Sequence, residues 1–174
     1  MKKRKLKIAI FVDHEIIIRH FIRSEVFSKL IQNHIVDFIL PPIGYKRLFS
    51  KPSTHAKYFK NANIIRLGVH SFRRTLWARL RQVIILRSRF GTNEVIRSNW
   101  LFYIPIKERI IQTFLGLPLI FNLYKLWVRF VEKKFKNNQL INILKGNKYD
   151  IIINPGVPDG VYLDDLIIES KRLN

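Results

Sequence analysis

Asp13, His14 and Glu15 follow one another directly behind the apolar run "LKIAIFV". A histidine titrates near neutral pH and can take a proton from a reacting hydroxyl, and a neighbouring carboxylate can orient the ring or act as the base itself. Arg19, one helical turn further on, suits a phosphate or carboxylate. The competing explanation is local: Asp13 and Glu15 are also what the positive end of a helix favours. A second group lies in "NPGVPDGVYLDD", residues 154–165. Gly156 permits close backbone approach, and Asp159 or Asp164 can cap a following helix, whose amino end is a possible phosphate site. A rigid turn with an Asp cap explains the same residues. The spacing is neither a P-loop nor a GxGxxG, so no nucleotide cofactor is expected. The third group is cationic: Arg73, Arg74, Arg79, Arg81, Arg87 and Arg89 fall in one stretch without an acidic residue among them. Together with Trp77 and Phe90 they suit an anionic lipid surface or a phosphate backbone.

Elements that would position these groups can be read from apolar patterning. "LKIAIFVD", "HIVDFILPP", "NIIRLGV" and "YDIIINP" are short apolar runs of β-forming residues, the form expected of strands buried on both faces of a parallel sheet. Between the first two, "IIIRHFIRSEVFSKLIQN" places Ile18, Phe21, Ile22, Val26 and Leu30 at helical spacing. "SFRRTLWARLRQVIILRSRFG" predicts a basic amphipathic helix with an apolar stripe of Phe72, Leu76, Leu80, Val83 and Ile84. Further helices are expected over about 107–114 and, as one long element, about 122–145, with Gly116 and Pro118 between them. A last helix follows the 154–162 loop. Alternating strands and helices predict an α/β, Rossmann-like parallel sheet with flanking helices, read as a single domain over 1–174. In such sheets ligands lie beyond the carboxyl ends of the strands, which is where "DHE" and "NPGVPDG" fall.

The chain carries 32 Lys and Arg against 12 Asp and Glu, a net charge of +20. The excess is concentrated before residue 149, since residues 149–174 hold 2 basic and 5 acidic groups. A field of that sign implies a polyanionic partner: an anionic membrane surface, phosphorylated substrates or, ranked below the membrane, nucleic acid. Standard nucleic-acid-reading signatures are absent. There is no cysteine, and the 5 histidines show no metal-ligand spacing, so no structural metal is expected. The longest central uncharged run, residues 110–124, is too short and too polar for a membrane span, and the apolar run at the amino terminus is too short for a signal peptide. The expected location is cytoplasmic, with peripheral attachment to the inner membrane possible.

The opening "KIAIFVDHEIIIRHFIRSEVFSKL…HIVDFILPP" resembles that of bacterial GT-B glycosyltransferase-like proteins of surface-polysaccharide biosynthesis. The matching residues are Arg19, His20 and Phe21, then His34, Val36, Phe38 and Pro41. The ending, with Pro155, Gly156, Asp159 and "ESKRL", resembles the late strand–loop–helix of the same proteins' amino-terminal domain. The resemblance implies one half of a two-domain enzyme, with this half binding a lipid-linked or other acceptor and supplying any base from His14, Asp13 or Glu15. Arg19, Gly156 and Asp159 would then bind substrate. The nucleotide-sugar donor would bind a second domain, so transfer by this polypeptide alone is not expected. The alternative expectation is a non-catalytic basic module.

Overall fold

A computed structural model describes residues 4–45, 59, 62–87, 105–155 and 161–173. The chain divides into two compact units, one of residues 1–69 and 137–174 and the other of residues 70–136.

The first unit is built on four parallel strands, β1 (Lys7–Phe11), β2 (Ile35–Leu40), β3 (Asn63–Arg66) and β4 (Ile151–Ile153), in the order β3-β2-β1-β4. This is the Rossmann-like α/β sheet that the apolar runs predict. Their two-sided apolarity has a direct structural cause. Ile8, Ile10 and Val12 of the β1 segment join Val36, Phe38 and Leu40 in a core on one face. Ala9 and Phe11 join Ile39 in a second core on the other. Asp37 is the polar exception in β2: it is buried, and accepts from Tyr149 Oη at 2.7 Å and Asn63 Nδ2 at 3.1 Å. β4 is tied to the start of β1 by Asp150, whose carboxylate accepts from the Lys7 N–H at 2.8 Å while its own N–H donates to Lys7 O at 2.9 Å.

The helix expected between β1 and β2 is broken. α1 (Glu15–Ile17) passes into a π-helical turn over Ile18–Ile22, and α2 (Ser28–Asn33) begins only after Glu25, which has φ of 58°. A π turn holds one residue more than an α turn, so the inward face shifts along the sequence. Ile18 and Ile22 stay in the core, but Phe27 replaces Val26 there, and Val26 is 57% exposed.

The long helix expected over 122–145 is also two helices, α5 (Pro118–Lys134) and α6 (Asn138–Asn147). The break is held by a buried polar clamp. Asn137 donates its backbone N–H to Glu169 Oε1 at 2.9 Å and its Nδ2 to Asp165 Oδ2 at 2.8 Å. Its Oδ1 accepts from the Leu140 N–H at 3.1 Å, which caps α6. Asp165 and Glu169 lie on α7 (Leu163–Leu173), where Arg172 bridges Glu169 at 2.8 Å. Leu140 and Leu144 of α6, Leu166 of α7, and Val161 and Tyr162 just before α7 cover the second face of the sheet. The β1-to-β2 and β3-to-β4 connections run in opposite directions across the sheet with helices on opposite faces, as crossovers of one hand require.

The second unit contains α3 (Ser71–Arg87), α4 (Ile106–Leu115) and α5. Leu76 and Leu80 of α3 pack with Tyr124, Val128 and Val131 of α5, and the Tyr124 hydroxyl donates to Leu76 O at 3.0 Å. The buried face of α3 differs from the predicted stripe. Arg73, Leu76, Leu80 and Val83 are buried, whereas Phe72 and Ile84 are 55% and 50% exposed. The stripe is rotated because α3 packs against α4 as well as α5, through Arg79–Glu108 at 2.8 Å and Gln112–Gln82 at 2.6 Å.

Asn137→Ala removes a helix cap and a bond to a buried carboxylate together. It should lower unfolding free energy by about 2 kcal/mol in urea titration, with an unchanged m-value. A loss below about 0.5 kcal/mol would show that the clamp is not what breaks the helix.

Candidate functional site

The strand order reverses between β1 and β4. Successive connections leave β1 on one side for β2 and β3, then return to the other side for β4. A crevice forms at the carboxyl ends of two strands whose connections diverge, and such a switch point is where open α/β sheets take ligands. Residues 12–15, Asn154 and the start of α7 are placed there by the ends of β1 and β4.

Asp13 is the central group. It is only 1% exposed, and its Oδ2 accepts the Val161 backbone N–H at 2.7 Å. A carboxylate at the tip of β1 thus holds the segment leading into α7, where unpaired amide groups favour negative charge. Its other oxygen, Oδ1, is buried with no hydrogen-bond partner among the described residues. Burial pushes the Asp13 carboxyl above its ordinary 3.8, against the opposing pull of the Val161, Asp13 and Tyr162 backbone amides and of His14. The helix-dipole explanation therefore has a concrete form, but the helix served is α7, 150 residues away in sequence, not α1.

His14 caps α1: its Nδ1 accepts the Ile16 N–H at 3.1 Å, so the neutral ring carries its proton on Nε2, which is left to donate to a ligand. Glu15 is exposed in the first turn of α1, and Arg19 is exposed on the π turn. Tyr162 is packed behind this segment in the core. It is fully buried, donates to Leu67 O at 2.6 Å and meets the Phe11 ring edge-on at 5.7 Å. Burial, chiefly, and then the Asp13 charge raise its hydroxyl far above the ordinary tyrosine range, so it stays protonated.

Asp13 and His14 are therefore brought to the switch point together, with Glu15 and Arg19 on the solvent side of the same segment. Gly156 and Asp159 lie outside the described residues. Asn154 and Tyr162 were not singled out from the sequence. Asn154 directly follows the β4 run, and that position at a strand's carboxyl end is the signal that identifies it. Tyr162 sits in the turn-rich stretch, where a lone aromatic carries no such mark.

The arginines of α3 do not form one cationic face. Arg73 is buried. Arg79 pairs with Glu108, and that hydrogen bond raises its pKa further. Arg74 and Arg81 are partly exposed. Arg87 donates to Gly116 O and lies 4.8 Å over the Phe121 ring. Arg89 lies outside the described residues.

No family model, curated protein or solved structure matches this chain.

The raised Asp13 carboxyl has a definite pH signature. Between 3.8 and its native value the folded state keeps a proton that the unfolded chain has released. The stabilisation this gives is complete below 3.8 and is lost as pH rises through the native value. Asp13→Asn keeps an acceptor for Val161 but cannot titrate. In urea unfolding from pH 4 to 7, wild-type stability relative to Asp13→Asn should therefore fall with pH; a flat or rising difference would contradict the burial effect.

Proposed function

We propose that this chain is the acceptor-binding half of a glycosyltransferase-like protein, acting in the transfer of a sugar from a nucleotide-sugar to a lipid-linked acceptor. The observation that carries the reading is the reversal of strand order between β1 and β4, which sets Asp13 and His14 at the switch point of the sheet. His14, whose Nε2 carries the ring proton while Nδ1 accepts the Ile16 N–H, is assigned a hydrogen bond to an acceptor oxygen, and Glu15, exposed beside it, the role of base toward the acceptor hydroxyl. Asp13 is assigned a positioning role, since its carboxylate is engaged by Val161 and sealed from solvent. Arg19, exposed one turn beyond, is assigned to an acceptor phosphate. The donor belongs to a second domain in this reading. The +20 charge favours acceptors presented at an anionic surface, with the protein peripheral to the inner membrane.

A second reading, a non-catalytic basic module on anionic membrane, draws support from the same Asp13, whose bond to Val161 gives it a structural purpose without any chemistry. Acceptor titration separates the two. A short-chain polyprenyl-diphosphate sugar in detergent should bind with a Kd that His14→Ala weakens about tenfold, equivalent to about 1.4 kcal/mol, while UDP-glucose alone should not bind. Binding of neither probe would favour the basic module, and binding of UDP-glucose alone would reverse the assignment of the acceptor side.

A further inference from the structure

α5 has two apolar faces, and the helical cluster uses only one. Tyr124, Val128 and Val131 are buried against α3. Leu119, Leu123, Leu126 and Phe130 recur at helical spacing on another face and are 74%, 58%, 60% and 59% exposed. α4 repeats the pattern: Gln112 is buried toward α3, while Ile106, Ile110 and Phe114 are 73%, 65% and 58% exposed. The two helices meet at a 95° bend around Gly116 and Leu117, and neither is long and apolar enough to cross a membrane by itself. Since α3 packs against both, the exposed apolar faces of α4 and α5 are those turned away from it. Seven large hydrophobic side chains left in water on two adjoining helices call for an occupant.

Charge identifies that occupant. Between Ile106 and Lys134 there are six cations (Lys107, Arg109, Lys125, Arg129, Lys133 and Lys134) and two acids (Glu108 and Glu132). Glu108 is already turned to Arg79. Lys134 reaches over the rings of Phe130 and Phe135, 5.9 and 5.8 Å from their centroids, with its stem along apolar surface and its ammonium at the edge. An apolar stripe bordered by cations matches the boundary between hydrocarbon and anionic headgroups, into which such helices sink by about 5–10 Å. An apolar protein groove would satisfy the leucines but leave the cations unanswered.

We propose that α4 and α5 form a bent interfacial plate that lies on an anionic bilayer, with Ile110, Phe114, Leu119, Leu123, Leu126 and Phe130 immersed and the flanking Lys and Arg at the phosphates. The proposal rests on the membrane reading above and moves the point of attachment from the α3 arginines to this plate.

The test uses the full chain and sucrose-loaded vesicles of phosphatidylcholine with or without 30% phosphatidylglycerol. Wild type should sediment with the anionic vesicles and retain part of its binding at 0.5 M salt. Ile110→Glu combined with Leu123→Glu should reduce partitioning at least tenfold with an unchanged far-ultraviolet spectrum. Arg74→Gln combined with Arg81→Gln should reduce it less than threefold. Trp127, 45% exposed beside the stripe, should be quenched by brominated lipid in a background where Trp77 and Trp100 are Phe. If the double glutamate variant misfolds, this quenching decides alone, and its absence in vesicle-bound protein rejects the plate. Absence of wild-type binding overturns the membrane reading itself. Unaltered binding of the glutamate variant overturns only the plate. Self-association without vesicles, abolished by the glutamates, would make this face an interface between copies and likewise overturn it.

Discussion

β1 has no solvent-facing side, and most of the α/β unit follows from that constraint. It is paired along both edges, by β2 and β4, and covered on both faces. A strand so enclosed has to be apolar throughout, so the first charged side chain after it marks the point where it emerges. Here that side chain does not reach water. Asp13 turns into the gap between β1 and the start of α7 and takes up the Val161 amide. The same carboxylate ends the strand, holds the neighbouring segment and carries the raised pKa. Its burial is tolerable because amide groups at a helix start supply part of the solvation that water would have given.

This arrangement bears on the division of labour at the switch point. A sealed carboxylate cannot meet a substrate directly, whereas His14, one residue further, is partly exposed and already oriented by the Ile16 amide. Adjacent residues thus meet different surroundings, and of the two only His14 is partly open to solvent. Tyr162, protonated, buried and committed to Leu67 O, is core packing and not a reagent.

The strands were legible because burial on both faces writes an unbroken apolar run, and all four runs became strands of one parallel sheet. The helices were less legible where one residue decides the geometry. Val26 fits a helical stripe, but the π turn at Ile18–Ile22 passes its place to Phe27, and the local pattern contains no mark of the extra residue. Asn137 reads as one polar position in a helix until Asp165 and Glu169, more than 25 residues on, are brought to it. The α3 stripe was misplaced by one flank because Gln112 and Glu108 draw its polar positions inward. At the site, Asp13 and His14 stood out by type and position, but Val161 contributes only an amide, and an amide leaves no trace in a side-chain pattern.

Gly68 and Gln139 bracket the whole helical unit, yet the Gly68 N–H donates to Gln139 Oε1 at 2.8 Å, and the amide of that side chain reaches Arg66 O at 3.3 Å. The chain therefore leaves the sheet and re-enters it through a stapled doorway. Shortening or exchanging what passes through leaves the β3-to-α6 step to be closed by a short bridge, at an entropic penalty that grows only logarithmically with length. The helical unit is in this sense an insertion whose two ends are already joined within the α/β unit.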